Sequence, residues 1–270
     1  MQVQKELEKI PGQEVANHRI DHWWWLVVAV IGLVAALTIL KPDPYWRIIK
    51  FVSDGLLVTV GVTLTAFILT LLLGLFAALG RLSKIKVINW ITTIYVEVAR
   101  GIPLLVQLLF WYFAFPSIIQ SFGRLIHYRP FERFIANPFL MAILGLTFCY
   151  AAYMSEIYRA GIQSIPKGQN EAARSLGMSH GQAMRYIILP QAIRVILPPV
   201  GNEFISLLKD SSLVSVVAVA DMTRRGREFM AANFIPVETW MMIALIYLIM
   251  TLISARVVAW IERKTQTEER

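Results

Sequence analysis

LLVTVGVTLTAFILTLLLGLFAALG, Leu56 to Gly80, is a run of 25 residues without one ionisable side chain. Coiled as an α-helix rising about 1.5 Å per residue, it exceeds the roughly 30 Å hydrocarbon core of a bilayer. A soluble helix of that length would carry a polar face, and this one has none. Its small residues, Thr59, Thr63 and Thr70 with Gly55, Gly61 and Gly74, read as helix-packing positions. Similar apolar runs extend on both sides, over Trp24 to Leu40, Val87 to Phe115, Phe139 to Tyr158 and Trp240 to Ile261. Of the 270 residues, 57% are hydrophobic and 16% charged, where an ordinary soluble domain has about 25% charged. The expectation is an all-α membrane protein without a soluble domain.

One further segment is apolar but punctuated. Tyr186 to Met222 contains Pro190, Pro198, Pro199, Gly201, Asn202, Glu203, Lys209 and Asp210. Irregular backbone at membrane depth is tolerated where protein or a water-filled cavity satisfies the freed groups. The segment therefore reads as one crossing with a broken helix, unwound around Gly201 and Asn202, giving about six crossings and both termini on one side. An excess of lysine and arginine puts residues 1–23, the Arg81 to Lys86 loop, the Arg159 to Arg185 segment and the 262–270 tail in the cytoplasm, although Arg224, Arg225 and Arg227 then fall outside. The first run, 24–40, reads as an uncleaved helix with an aromatic belt at Trp23, Trp24 and Trp25. Glu6, Glu8, Glu14 and Asp21 offset the basic residues ahead of it, unlike a signal peptide. The net charge of +8 fits membrane orientation and needs no nucleic acid. The single cysteine, Cys149, excludes an internal disulfide. His18 and His22 have metal-ligand spacing, but two ligands make a poor site, and no metal is expected.

Ile165 to Pro190, IPKGQNEAARSLGMSHGQAMRYIILP, departs from the membrane pattern. Glu171 to Leu176 favours a helix with an acid near its start, Gly177 supplies a left-handed stop, and Ser179 with Gln182 has capping-box spacing for a second helix limited by Pro190. Two short helices at an angle result, with Ala172, Ala173 and Gly177 offering a close-fitting surface. Two other readings fail on physical grounds. A DNA-binding helix-turn-helix of this size, pinned between crossings, has no core to hold its recognition helix. Gly177 to Gly181 matches G-x-S-x-G, yet a helix precedes Ser179 and no histidine follows His180.

Glu171, Ala172, Ala173 and Gly177, followed by Ile188, Leu189 and Pro190, resemble the EAA loop of permease subunits of bacterial ABC importers. Arg100 to Gln107 (RGIPLLVQ), Glu156 to Gly168 and Leu208 to Val214 (LKDSSLV) resemble the branch that imports polar amino acids. The resemblance spans roughly Ser53 to Ile261 and leaves the first crossing uncovered. It implies a type I importer permease bundle over 53–261 in a bacterial cytoplasmic membrane. The implied partners are a second permease subunit, identical or not, a pair of ABC ATPase subunits and an extracytoplasmic solute-binding protein. The EAA helices, with Glu171, Ala172, Ala173, Gly177, Ser179 and Pro190, would dock in a cleft of the ATPase. No G-x-x-x-x-G-K-[ST] occurs in the chain, so ATP and magnesium would belong to that partner and no covalent chemistry to this one.

Charges at membrane depth are costly and mark pathways or structural pairs. Lys209 and Asp210 are the leading candidates: Asp210 for the α-ammonium and Lys209 for the α-carboxylate of a free amino acid, with Ser211, Ser212, Asn202 and Glu203 adding polar contacts. A structural ion pair with Glu203, Arg194 or another subunit is the alternative. Glu97 and Arg100, three apart, are expected to pair on one helical face, with Pro103 adding a kink and Gln107 a cavity-facing amide. In basic-amino-acid members of the resembled family an acid is expected about one turn beyond the Lys-Asp pair. Leu213 and Val214 stand there, which favours neutral or acidic cargo such as glutamine or glutamate. An ion-coupled secondary transporter using Lys209, Asp210 and Glu203 is the competing function.

Overall fold

The computed structural model describes residues 22–266, and all the regular structure among them is helical. α1 (His22–Leu40) is joined through Lys41 to α2 (Pro42–Arg81), a span of 40 residues that is helical except at Asp43 (φ −102°, ψ 116°) near its start. Such a helix is about 60 Å long, twice the bilayer core, so its first turns stand outside the apolar run that begins at Leu56. There Tyr45, Ile48 and Val52 are buried against Met222 and Phe229 of α11 (Met222–Asn233) and Met242 and Ile243 of α12 (Pro236–Gln266), forming an outer layer. His18 and the rest of residues 1–21 lie outside the described residues.

Among the described residues, five helical segments are long and apolar enough to cross a membrane: Trp23–Leu40, Pro42–Arg81, Leu104–Leu125, Pro138–Gln163 and Pro236–Thr265. The third expected run is divided. α3 (Lys86–Gly101) ends, Ile102 turns extended at φ −103° and ψ 130°, and α4 (Leu104–Leu109) begins after Pro103. A π-helical turn, Phe110–Ala114, then leads into α5 (Phe115–Leu125), and α6 (Arg129–Glu132) closes the excursion. Pro103 therefore separates two helices instead of kinking one. The residue before a proline is pushed away from helical dihedrals, and Ile102 has gone all the way.

α7 (Pro138–Gln163) lies at the centre, packed chiefly on α2. Lipid gives apolar helix faces no reason to associate, so the close contacts come from small residues and shape. A Cβ on Gly74 would lie 2.7 Å from Met154 Cβ of α7, and one on Gly55 would lie 2.8 Å from Asp221 O; around Gly61 there is open space. Thr59, Thr63 and Thr70 are buried as expected. Val62, Ala66, Leu108, Ala142, Leu146, Leu207 and Val214 complete the inner core.

The punctuated crossing corrects the sequence expectation twice. α10 (Leu189–Asp210) is a continuous α-helix through Pro198, Pro199, Gly201 and Asn202, with no unwinding there. Gly201 is glycine because the Val258 side chain of α12 occupies the space of a Cβ. The irregularity lies one step later, where the chain tightens into a 3-10 helix at Ser211–Val217 and ends on left-handed Ala218. At the other end, Pro190 does not stop the second loop helix. α9 (His180–Ala183) passes through a π-helical turn, Met184–Ile188, directly into α10. The wider turn accommodates the missing proline N–H, and Gln191 Nε2 donates to the Ile187 carbonyl at 2.8 Å.

Candidate functional site: a charged cavity and a paired-helix loop

The break at Gly101–Pro103 frees backbone carbonyls inside the bundle, and Gln107 takes them. Its Nε2 donates to Ala99 O at 2.7 Å and to Ile102 O at 2.8 Å, while the side chain is buried. Gln107 therefore caps the break and is not a cavity-facing amide. Beside it lies a cavity of about 370 Å³, whose polar lining is Arg100, Tyr150, Tyr153, Glu203, Ser206 and Asp210. Tyr150 stands at the midpoint of α7, so the cavity is at the middle of the crossing. Tyr150 Oη donates to Asp210 Oδ2 at 2.7 Å. The Arg100 guanidinium sits 5.4 Å from the Tyr153 ring centroid, a cation–π distance that steadies a charge without neutralising it.

Glu203, Ser206 and Asp210 share one face of α10, at steps of three and four residues. Lys209 and Asn202 are exposed and do not line the cavity; Ser211 is buried, its hydroxyl donating to Leu208 O at 2.8 Å, and Ser212 is also outside it. Of the six residues expected to meet substrate, the structure brings Glu203 and Asp210 to the cavity. Arg100 replaces Lys209 as its cation. Consecutive residues on a helix point about 100° apart, so Lys209 and Asp210 were never going to line one wall together. The residues missed were Tyr150, Tyr153 and Ser206; a signal existed in the shared face of Glu203, Ser206 and Asp210 and in the i, i+3 tyrosines at the centre of α7.

The expected Glu97–Arg100 pair does not form. Glu97 approaches Arg81 at 3.9 Å, Arg81 also meets Glu156, and Arg159 holds Glu156 at 2.6 Å, tying the ends of α2, α3 and α7 together. Two of the three arginines that broke the orientation rule are similarly neutralised: Arg225 pairs with Asp54 at 2.5 Å and Glu228 at 2.9 Å, and Arg224 with Glu228 at 3.1 Å, while Arg227 donates to Ser215 Oγ at 3.1 Å. The hydrogen bond from Arg225 holds the Glu228 carboxyl below its ordinary range.

The loop after α7 forms the two helices expected, with altered bounds. α8 (Lys167–Ser175) starts four residues ahead of Glu171, which leaves that acid in mid-helix and the first turn without one. Gly177 has φ +83°, the left-handed region that favours glycine. Ser179 caps α9 with a complete capping box: its Oγ accepts from Gln182 N at 3.3 Å, and Gln182 Oε1 accepts from Ser179 N at 2.8 Å. Ala173 and Ala183 turn inward; Glu171, Ala172 and Gly177 are exposed, and Leu176 is 80% exposed at the tip. Since α9 runs unbroken into α10, a push on the loop is delivered to the helix that carries Glu203, Ser206 and Asp210.

Residues 70–267 match the family model described as "Binding-protein-dependent transport system inner membrane component". The chain belongs to that family. It is therefore a transport component of an inner membrane, and the fold places a charged cavity and an exposed paired-helix loop on it. The glutamine transport system permease protein of Escherichia coli (strain K12) is 35% identical over 219 residues, covering 81% of this chain and 94% of that one. The L-cystine transport system permease protein of Bacillus subtilis (strain 168) is 39% identical over 194 residues, 72% of this chain and 76% of that one. Among solved structures, an amino acid ABC transporter crystallised with histidines is 41% identical with a TM-score of 0.71, over 84% of this chain and 97% of that chain. An inward-facing methionine ABC transporter, at 19% identity and TM-score 0.58, shares the fold over 83% of this chain and 98% of that chain.

Proposed function

We propose that the chain is the permease subunit of an ATP-driven importer of polar amino acids. The observation that carries the reading is a mid-membrane cavity holding charges of both signs on a helix continuous with the exposed loop. A free amino acid presents an ammonium and a carboxylate on the same carbon, and burying either without a partner costs several kcal/mol. Arg100 would take the α-carboxylate and Asp210, steadied by Tyr150, the α-ammonium. Similarity to permeases named for glutamine, L-cystine and arginine transport supports the class.

Glu203 then remains for the side chain of the cargo. With Lys209 outside the cavity and Arg100 committed to the α-carboxylate, nothing positive is left to receive an acidic side chain. The charge balance favours side chains that donate hydrogen bonds or carry positive charge, glutamine or a basic residue, over glutamate and aspartate. The sequence argument that disfavoured basic cargo rested on Leu213 and Val214 standing where an acid is expected after Asp210; the cavity is lined from α3, α4 and α7 as well.

A solute-binding protein would deliver the amino acid to the outer layer formed by the start of α2, α11 and α12. ATP and magnesium would be held by two ATPase subunits, whose closure would move α8 and α9 and, through the π-helical turn, α10. Lys209 and Asn202, exposed on α10 at membrane depth, support a second permease subunit or a shared aqueous path beside them. The test is uptake by the complete transporter in proteoliposomes, with competition by glutamine, arginine and glutamate. Uptake requiring ATP and inhibited least by glutamate is expected; uptake driven by an ion gradient with no ATPase present, or strongest competition by glutamate, would contradict the reading.

A further inference from the structure

A second cavity, of about 570 Å³, opens at the corner between α2 and α3, lined by Ser83, Lys84, Lys86, Val87, Asn89 and Trp90. Its charge is entirely positive. Glu97 and Glu156, at the same end of the bundle, are taken by Arg81 and Arg159. Neither Lys84 nor Lys86 forms a salt bridge among the described residues, and both are exposed. Two unpaired cations held two residues apart over a polar floor call for an anion.

The walls say what carries that anion. Trp90 is 66% and Val87 64% exposed, and Ile91 and Ile94 continue the same exposed face of α3 one turn further into the bilayer. An indole at this level is amphipathic and suits the boundary between headgroups and hydrocarbon. Ser83 Oγ accepts from Ile85 N at 3.2 Å, which leaves its hydroxyl hydrogen free to donate. The cavity thus has a cationic polar mouth and an apolar flank that follows the acyl-chain direction. We infer that it is a binding site for the phosphodiester headgroup of an anionic phospholipid, with Lys84 and Lys86 on the phosphate and an acyl chain along Val87, Trp90 and Ile94. Basic pockets between helices at the cytoplasmic membrane edge bind such headgroups.

The site lies at the end of the bundle where Arg81 joins Glu156 and Arg159, close to the paired-helix loop. An occupant there would brace the corner of α2 and α3 against the end of α7 and bear on how that loop is held. The inference rests on the proposed function in one respect, that the loop end faces the cytoplasm.

The experiment is native mass spectrometry and thermal unfolding of the complete, delipidated transporter with added phosphatidylglycerol, phosphatidylcholine or inorganic phosphate. Wild type is expected to retain phosphatidylglycerol in preference to phosphatidylcholine and to be stabilised by it. K84Q/K86Q is expected to bind phosphatidylglycerol about 30-fold more weakly. K41Q/K50Q, which removes the same charge at the opposite end, should bind as wild type does. Both lysine pairs are exposed, so neither double variant threatens folding. Unchanged phosphatidylglycerol binding by K84Q/K86Q would overturn the inference, as would equal retention of phosphatidylcholine. Stabilisation by inorganic phosphate alone to the same extent would make the site one for free phosphate and overturn the lipid assignment. Loss of ATPase co-purification from K84Q/K86Q, with lipid binding intact, would reassign the surface to the ATPase. None of these readouts requires uptake, so failure here is separable from failure of the importer reading.

Discussion

Two proline-bearing stretches of the bundle diverge. At Gly101–Pro103 the chain leaves one helix, passes through an extended Ile102 and starts another, whereas α10 carries Pro198 and Pro199 inside an unbroken helix. Proline removes one donor and crowds the preceding turn in both places. What differs is the neighbourhood. Four residues after Pro103 stands Gln107, whose amide reaches the freed carbonyls of Ala99 and Ile102, and the space beside that break is the charged cavity. Along α10 the helix is held by close approach to α12 at Gly201, and its irregularity is deferred to Ser211. Proline content alone does not locate a break in a membrane helix. At Gly101–Pro103 the break coincides with a side chain that replaces the lost backbone partners.

Exchanging the supports should break this contrast most strongly. Gln107→Leu leaves the buried Ala99 carbonyl without its donor, at about 1 to 3 kcal/mol for an unsatisfied group, and the half-buried Ile102 carbonyl with it. The purified protein is expected to lose several degrees of thermal stability, and uptake should fall with it as the cavity wall shifts. Pro198→Ala is expected to leave stability unchanged or raise it, because the helix is already continuous there. A tolerated Gln107→Leu, or a Pro198→Ala that disrupts folding, would reverse the comparison.

The membrane runs were legible because hydrocarbon imposes a length and excludes charge, and both are countable in Leu56 to Gly80. The paired-helix loop was legible for a different reason: Gly177, Ser179 and Gln182 act locally, within a few residues of chain, and each took the conformation its chemistry prefers. The cavity was only half legible. Asp210 and Glu203 stood out as charges among apolar residues, but Arg100 was assigned to Glu97 by helical spacing, when Glu97 instead turned to Arg81 on a neighbouring helix. Nothing local marks Tyr150 and Tyr153 as cavity-lining, because the sequence does not reveal that the α3–α4 break opens opposite them. Which partner a charge finds across helices is tertiary information, and a single sequence carries it weakly.

A smaller effect should follow at the loop. Gly177 has φ +83° and no neighbour within 4 Å of where a Cβ would lie. Gly177→Val would therefore act through backbone strain, about 1 to 2 kcal/mol, and not through a clash within the chain. ATPase co-purification and uptake are expected to drop severalfold while the unfolding temperature of the bundle stays put. Full uptake in this variant would remove the loop from the coupling path.

The smallest effect belongs to the outer layer, where Arg225 joins Asp54 of α2 to Glu228 of α11 at the surface. Exposed pairs contribute about 1 kcal/mol or less and are screened by salt. Glu228 is held below its ordinary carboxyl range by the Arg225 hydrogen bond, so its contribution is complete above the unfolded carboxyl pKa of 4.5 and fades as pH falls through the depressed folded value. Proteolysis of the α11 region is expected to quicken modestly in acid and at high salt, and Asp54→Asn should reproduce the change near neutral pH. No response to acid, salt or that variant would show that apolar packing alone holds the layer.

Lys209 and Asp210 are adjacent in sequence and stand on different walls of the fold, so uptake of radiolabelled glutamine and arginine by the complete transporter carrying either Asp210→Asn or Lys209→Gln tests the cavity most directly. Asp210→Asn is expected to lower uptake of whichever amino acid is carried by about tenfold or more, as losing a buried charge partner does, while Lys209→Gln keeps most of it. Loss of uptake in Lys209→Gln with transport intact in Asp210→Asn would contradict the account.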